Sequence, residues 1–143
     1  MACELPIMRG RVRTSGAQVS HYLCRNVILG EHRAQDLIAI RSALLGSEYS
    51  IVAEVGNTDE LLFQCEQKQP DLVIMDATLP GITDALVAIR QLKRRHIGLT
   101  ILATGAISQN ATVMESLTMG ASDFILKPLQ PRAVRACVER NGG

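Results

Sequence analysis

From Asn26 to Arg140 the chain alternates short apolar runs with stretches in which apolar residues recur every three or four positions. This is the pattern of βαβ units around a parallel sheet. The first predicted strand is Asn26 to Leu29, and the helix after it, about Ala34 to Leu45, places Leu37, Ile40, Leu44 and Leu45 on one face. Tyr49 to Val55 reads as the second strand. Asn57, with Glu60 three residues on, has the form of a capping box and starts a helix carrying Leu61, Leu62 and Cys65 that ends by Pro70. A third strand runs to Asp76, a helix near Thr83 to Arg94 repeats Leu86, Ile89 and Leu92, and Leu99 to Ala103 is the fourth strand. A fourth helix, about Asn110 to Met119, stops at Gly120. Asp123 to Leu126 is the fifth strand, and Pro131 opens a last helix ending near Arg140.

Right-handed crossovers place such helices on both faces of the sheet, so the expected fold is α/β and flavodoxin-like, with five parallel strands. Glu31, Asp76, Thr104 and Lys127 then fall at strand ends near one crevice, where ligands bind in open α/β sheets. The stretch Asp71-Leu-Val-Ile-Met-Asp76-Ala-Thr-Leu-Pro-Gly81 is the most informative, because a wholly apolar strand delivers one carboxylate directly into a turn. Residues 1–25 show no sustained period and mix Gly10, Ser15, Gly16 and Ser20 with scattered arginines. They are expected to form a flexible extension, with one domain over 26–140 and a short tail at 141–143.

Composition narrows the function classes. At 143 residues and 47% hydrophobic content the chain suits one domain, and a net charge of +1 gives no field suited to nucleic acid. The basic residues Arg9, Arg11 and Arg13, and the run Lys93-Arg94-Arg95-His96, read as a solvated tail and a favourable helix C-terminus. Cys3, Cys24, Cys65 and Cys137 lie far apart, without the spacing of a zinc or redox motif. No apolar run approaches the roughly 18 residues of a membrane span, and no signal peptide is evident, so a soluble cytoplasmic protein is expected.

Four motifs in order carry a resemblance: Leu72-Val-Ile-Met-Asp76, Leu79-Pro80-Gly81, Leu102-Ala-Thr104-Gly, and Gly120-Ala-Ser-Asp-Phe124-Ile-Leu-Lys127-Pro128. Over about Asn26 to Arg140 the chain resembles the receiver domain of bacterial two-component response regulators, with Ile51 to Glu60 similar to receivers that precede a helix-turn-helix output domain. The resemblance implies that Asp76 accepts a phosphoryl group from a sensor histidine kinase, with Lys127 and Thr104 contacting phosphoryl oxygens and Phe124 turning inward as the switch. It implies Mg²⁺ held by Glu31, Asp76 and the backbone carbonyl of Thr78, and a cis Lys127-Pro128 bond. Phosphoryl transfer rests mostly on positioning and charge neutralisation, which a carboxylate, a cation and a lysine supply. The implied output is altered protein–protein contacts, including a homodimer formed on phosphorylation, and regulation of transcription through an output domain absent from this chain. Too few residues follow the last helix for DNA binding by this segment, and no membrane contact is expected.

One departure stands out. Receivers carry two adjacent acids after the first strand, whereas this chain reads Leu29-Gly30-Glu31-His32, so Gly30 stands where an acid is expected. Loss of one charged contact costs roughly 1.5–3 kcal/mol, or about ten- to a hundred-fold in affinity, so Mg²⁺ is expected to bind weakly. Glu31 reads either as a metal ligand or as a solvated turn acid, and His32 has no second histidine at ligand spacing. The alternatives are a degenerate receiver that binds partners without phosphorylation and a flavodoxin-like binder of cobalamin or flavin. Few aromatics are present to sandwich a flavin, and Asp76, Thr104 and Lys127 together argue against the degenerate form.

Overall fold

The structure is a computed structural model that describes residues 24–106 and 110–142. Its elements alternate strictly: β1 (Arg25–Gly30), α1 (Ala34–Leu44), β2 (Tyr49–Val55), α2 (Thr58–Lys68), β3 (Leu72–Asp76), α3 (Ala85–Arg95), β4 (Thr100–Ala106), α4 (Asn110–Met119), β5 (Asp123–Lys127) and α5 (Pro131–Gly142). All strands are parallel, in the order β2-β1-β3-β4-β5, as the flavodoxin-like expectation requires. The central strands are apolar on both faces because each face carries its own core. Ile28, Val73, Met75 and Ile101 pack towards α2 and α3, whereas Val27, Leu29, Ile74 and Leu102 pack towards α1 and α5.

Several boundaries differ from expectation, and hydrogen bonds supply the reason. Arg25 belongs to β1, paired with Tyr49, and the remainder of the expected flexible extension lies outside the described residues apart from Cys24. The third helix starts at Ala85 instead of Thr83 because Asp84 caps it, accepting from the Leu86 N–H at 2.8 Å. Asn57 caps α2 as expected, accepting from the Glu60 N–H at 2.8 Å. β4 runs past Ala103 to Ala106 because β5 pairs with it up to Lys127, so Thr104 lies inside the strand instead of at its end. The expected tail at 141–143 is replaced by helix through Gly142, and Asn141 donates from Nδ2 to Asp123 Oδ2 at 3.0 Å.

The loop after β3 is fastened to the start of α2. The Thr58 N–H donates to the Pro80 carbonyl at 2.8 Å, the Thr58 hydroxyl to the Thr83 carbonyl at 2.6 Å, and the Ile82 N–H to Asp59 Oδ2 at 2.9 Å. Gly81, at φ +149°, is required there, since a Cβ would lie 2.0 Å from the Thr58 hydroxyl. The basic end of α3 is structural, with Lys93 Nζ donating to the carbonyls of Ile97 and Leu99. Cys65 and Cys137 are buried, with thiols pushed up by burial to about 12 and about 11, so both are inert at neutral pH. Cys3 lies outside the described residues.

Asp123 joins the start of β5 to the end of α5, and it generates a pH-dependent prediction. Burial opposes its ionisation, but hydrogen bonds from Asn141, Arg140 and the Phe124 N–H prevail and bring its pKa to about 2. A depressed carboxyl contributes stability that is complete above its unfolded value of about 3.9 and is lost as pH falls through the folded value. With partial exposure discounted, Asp123→Asn is expected to lower stability by roughly 1–2 kcal/mol at pH 7. Urea unfolding from pH 7 down should show that gap closing between about pH 4 and about pH 2.

Candidate functional site

β3 lies between β1 and β4, and its last residue, Asp76, reaches the carboxyl edge of the sheet while only 3% exposed. The chain then turns, with the Leu79 N–H donating to the Asp76 carbonyl at 3.0 Å and the Ala77 N–H to the Thr104 carbonyl at 2.9 Å. Thr78 clamps one carboxylate oxygen, donating to Asp76 Oδ1 from both its backbone N–H and its hydroxyl at 2.6 Å. The other oxygen, Oδ2, receives Lys127 Nζ at 2.5 Å from the end of β5, two strands away. The Lys127-Pro128 bond is cis, as the resemblance implies.

Lys127 is shared by three acids. Its Nζ lies 3.2 Å from Glu31 Oε1 and 2.9 Å from Asp36 Oδ2 as well. Glu31 is buried, and its Oε2 accepts from the N–H groups of His32 and Arg33, each at 3.1 Å, so it is a fixed residue of the site and not a solvated turn acid. His32 Nδ1 stays 4.0 Å from Glu31, on a half-exposed ring. Asp36, from the first turn of α1, escaped the sequence reading, since an acid in a first helical turn is ordinary. Its signal was the absent second acid after β1. Gly30 does not mark that vacancy, because a Cβ there would meet Leu79 and Met75 in the apolar core at 3.1 Å.

Three carboxylates against one ammonium leave a formal charge of −2 in a nearly solvent-free cluster. Burial opposes ionisation of Asp76, but hydrogen bonds from Lys127 and Thr78 outweigh it and hold the carboxyl below its ordinary range. Burial also works against the charge on Lys127, and contacts with Asp76 and Asp36 reverse that, raising its pKa. Among the described residues no acids, histidines or cysteines already surround a metal position, since the ammonium sits at their focus. An excess of −2 on hard oxygens nevertheless fits a divalent cation such as Mg²⁺.

Thr104 is fully buried and in register with Asp76 across the β3–β4 pair, yet its hydroxyl has no hydrogen-bond partner among the described residues. Such a group carries the cost of its lost hydration until a partner arrives. Phe124, opposite Ala103 on β5, is half-buried against the core. A groove of about 360 Å³ opens beside the acid, lined by Thr78, Pro80, Asp84, Leu86 and Thr112. A second cavity, about 390 Å³ and lined by Ser47, Tyr49 and Arg135, lies at the opposite end of the strands, away from this chemistry.

Comparison with known proteins points the same way. The family model described as the response regulator receiver domain matches residues 28–139. The chemotaxis protein CheY of Bacillus subtilis is 26% identical over 118 residues, covering 82% of this chain and 98% of that protein. CheY of Listeria monocytogenes is 30% identical over 101 residues, covering 71% and 84%. Among solved structures, the REC domain of AraT, a response regulator from Geobacillus stearothermophilus, shares the fold with a TM-score of 0.75 at 19% identity, over 82% of this chain and 92% of that one.

Removing the shared cation should expose the repulsion it masks. Lys127→Met is expected to lower stability in urea by roughly 3 kcal/mol at pH 7, the scale for breaking a buried ion pair from one side. Millimolar Mg²⁺ should then raise the urea midpoint of the variant by more than that of the unaltered protein. Equal midpoints for the two proteins without Mg²⁺ would show that the three acids do not depend on Lys127.

Proposed function

This chain belongs to the response regulator receiver domain family, and we propose that it acts as a phosphoryl acceptor at Asp76. Receivers are signalling domains of two-component systems and not classical enzymes, and their phosphoryl groups come from sensor histidine kinases. The observation that carries the reading to these residues is the buried hydroxyl of Thr104, without a partner among the described residues and in register with Asp76. A phosphoryl oxygen is the acceptor that this hydroxyl lacks.

In the proposed transfer, Asp76 attacks the phosphorus of a phosphohistidine, the P–N bond breaks, and the imidazole leaves with its electron pair as an acyl phosphate forms. A bound Mg²⁺ would be held by Glu31, Asp76 and the Thr78 carbonyl, and would neutralise charge on the phosphoryl oxygens. Lys127, which is hydrogen-bonded to Asp76 at rest, turns its ammonium to a phosphoryl oxygen after transfer. Thr104 donates its hydroxyl to another. Phe124 then turns inward to fill the space vacated by that movement, repacking the face formed by α4, β5 and α5.

That surface change is the output in this reading, with a homodimer formed on phosphorylation as one form of it. The reading places the protein in the cytoplasm, where two-component receivers meet their kinases; no helix among the described residues is long and apolar enough to cross a membrane. The degenerate receiver is not favoured, because Asp76, Thr104 and Lys127 stand together in the arrangement that phosphoryl transfer requires.

Incubation with Mg²⁺ and acetyl phosphate, followed by intact mass spectrometry, tests the proposal. A gain of about 80 Da, one added phosphoryl group, is expected in the unaltered protein and absent from Asp76→Asn. Thr104→Ala should slow the gain roughly ten-fold, in keeping with one charge-assisted hydrogen bond. A folded protein that gains no mass at high Mg²⁺ and donor would overturn the reading in favour of a phosphorylation-independent interaction module.

A further inference from the structure

We propose that Asp36 is a third carboxylate of the divalent-cation site, beside Glu31 and Asp76, supplied from the first turn of α1 in place of a second acid in the loop after β1. This rests on the reading of Asp76 as an acceptor that works with a cation, and it assigns a ligand that the sequence resemblance does not.

The commitments of each oxygen carry the argument. Glu31 Oε2 is held by the N–H groups of His32 and Arg33, and Asp76 Oδ1 by Thr78, which leaves Glu31 Oε1 and Asp76 Oδ2 facing Lys127. With the Thr78 carbonyl, those two oxygens still make a thin site for a cation that favours six hard ligands. Asp36 adds a third carboxylate: it is 4% exposed, and its Oδ2 is ion-paired with Lys127 Nζ at 2.9 Å and has no other polar partner among the described residues. All three lie within 3.2 Å of a single nitrogen, so they converge on one point.

Local structure explains why the acid arrives from the helix. An acid at position 30 would point into the apolar core between Leu79 and Met75, and position 32 holds a half-exposed histidine. The first turn of α1 is the next place from which a side chain reaches the crevice, and the positive end of the helix dipole favours an anion there. A cation entering among these oxygens takes the place of the ammonium, leaving Lys127 able to turn to an incoming phosphoryl group.

The test is Mn²⁺ binding, read from the electron paramagnetic resonance of the free ion, in the unaltered protein, Asp36→Asn, Asp36→Ser and Glu31→Gln, each shown to be folded by circular dichroism. Loss of roughly ten- to a hundred-fold in affinity is expected in both Asp36 variants, comparable to Glu31→Gln. Were Asp36 only a restraint on Lys127, its removal would leave Mn²⁺ affinity unchanged or tighter while Glu31→Gln still lost it, and that result would overturn the assignment while leaving the acceptor reading intact. An unaltered protein that binds no Mn²⁺ at millimolar concentration would overturn both. If both Asp36 variants unfold, the carboxylate ¹³C resonance of Asp36 in the unaltered protein decides. An isotropic hyperfine coupling of that carbon to bound Mn²⁺, comparable to that of the Glu31 carboxylate carbon, supports the assignment, and a purely dipolar coupling overturns it.

Discussion

Three buried carboxylates sharing one ammonium set the terms for this molecule. Like charges at such distances, out of water, repel strongly, and the cluster is tolerable only because Lys127 stands among them. The sheet order makes this contact possible, because only β4 separates β5 from β3 and a lysine side chain spans that gap. The resting state is thus charged but incompletely neutralised. The molecule has a standing preference for any additional positive charge, and a carboxylate whose oxygens are already oriented.

The two cores give that arrangement a rigid base. Each central strand is covered on both faces, so the backbone positions of Asp76 and Thr104 are determined by packed Ile, Leu, Val and Met and not by the site itself. Polar strain can then be kept beside the site. The Thr104 hydroxyl, without a hydrogen-bond partner among the described residues, is such a case, a local defect that the surrounding fold sustains.

Most of the architecture was legible because it is periodic. Continuous apolar runs and three-to-four spacing marked all ten elements in their order, and Asp76, Thr104 and Lys127 declared themselves by following such runs. Boundaries were less legible where a cap or a strand partner decides them: Asp84 delays α3, β5 lengthens β4, and Asn141 prolongs α5 through Asp123. Asp36 was hidden because an acid in a first helical turn has an adequate local explanation, and only the third dimension shows it beside Lys127. Gly30 misled for the complementary reason. Its place in sequence suggested a lost ligand, while its direction in space is into the core.

The fastening of the β3–α3 loop to α2 gives the site a handedness of response. On that side Thr58 and Asp59 hold the backbone at Pro80, Ile82 and Thr83, and Gly81 is packed too closely to accept a side chain. On the side of β4 and β5, the Thr104 hydroxyl has no partner among the described residues and Phe124 is only half-buried. A disturbance that starts at Asp76 therefore meets a braced wall in one direction and a yielding one in the other. In the proposed transfer the loop after β3 would then serve as the anvil, and whatever news the carboxylate receives would leave by the opposite door.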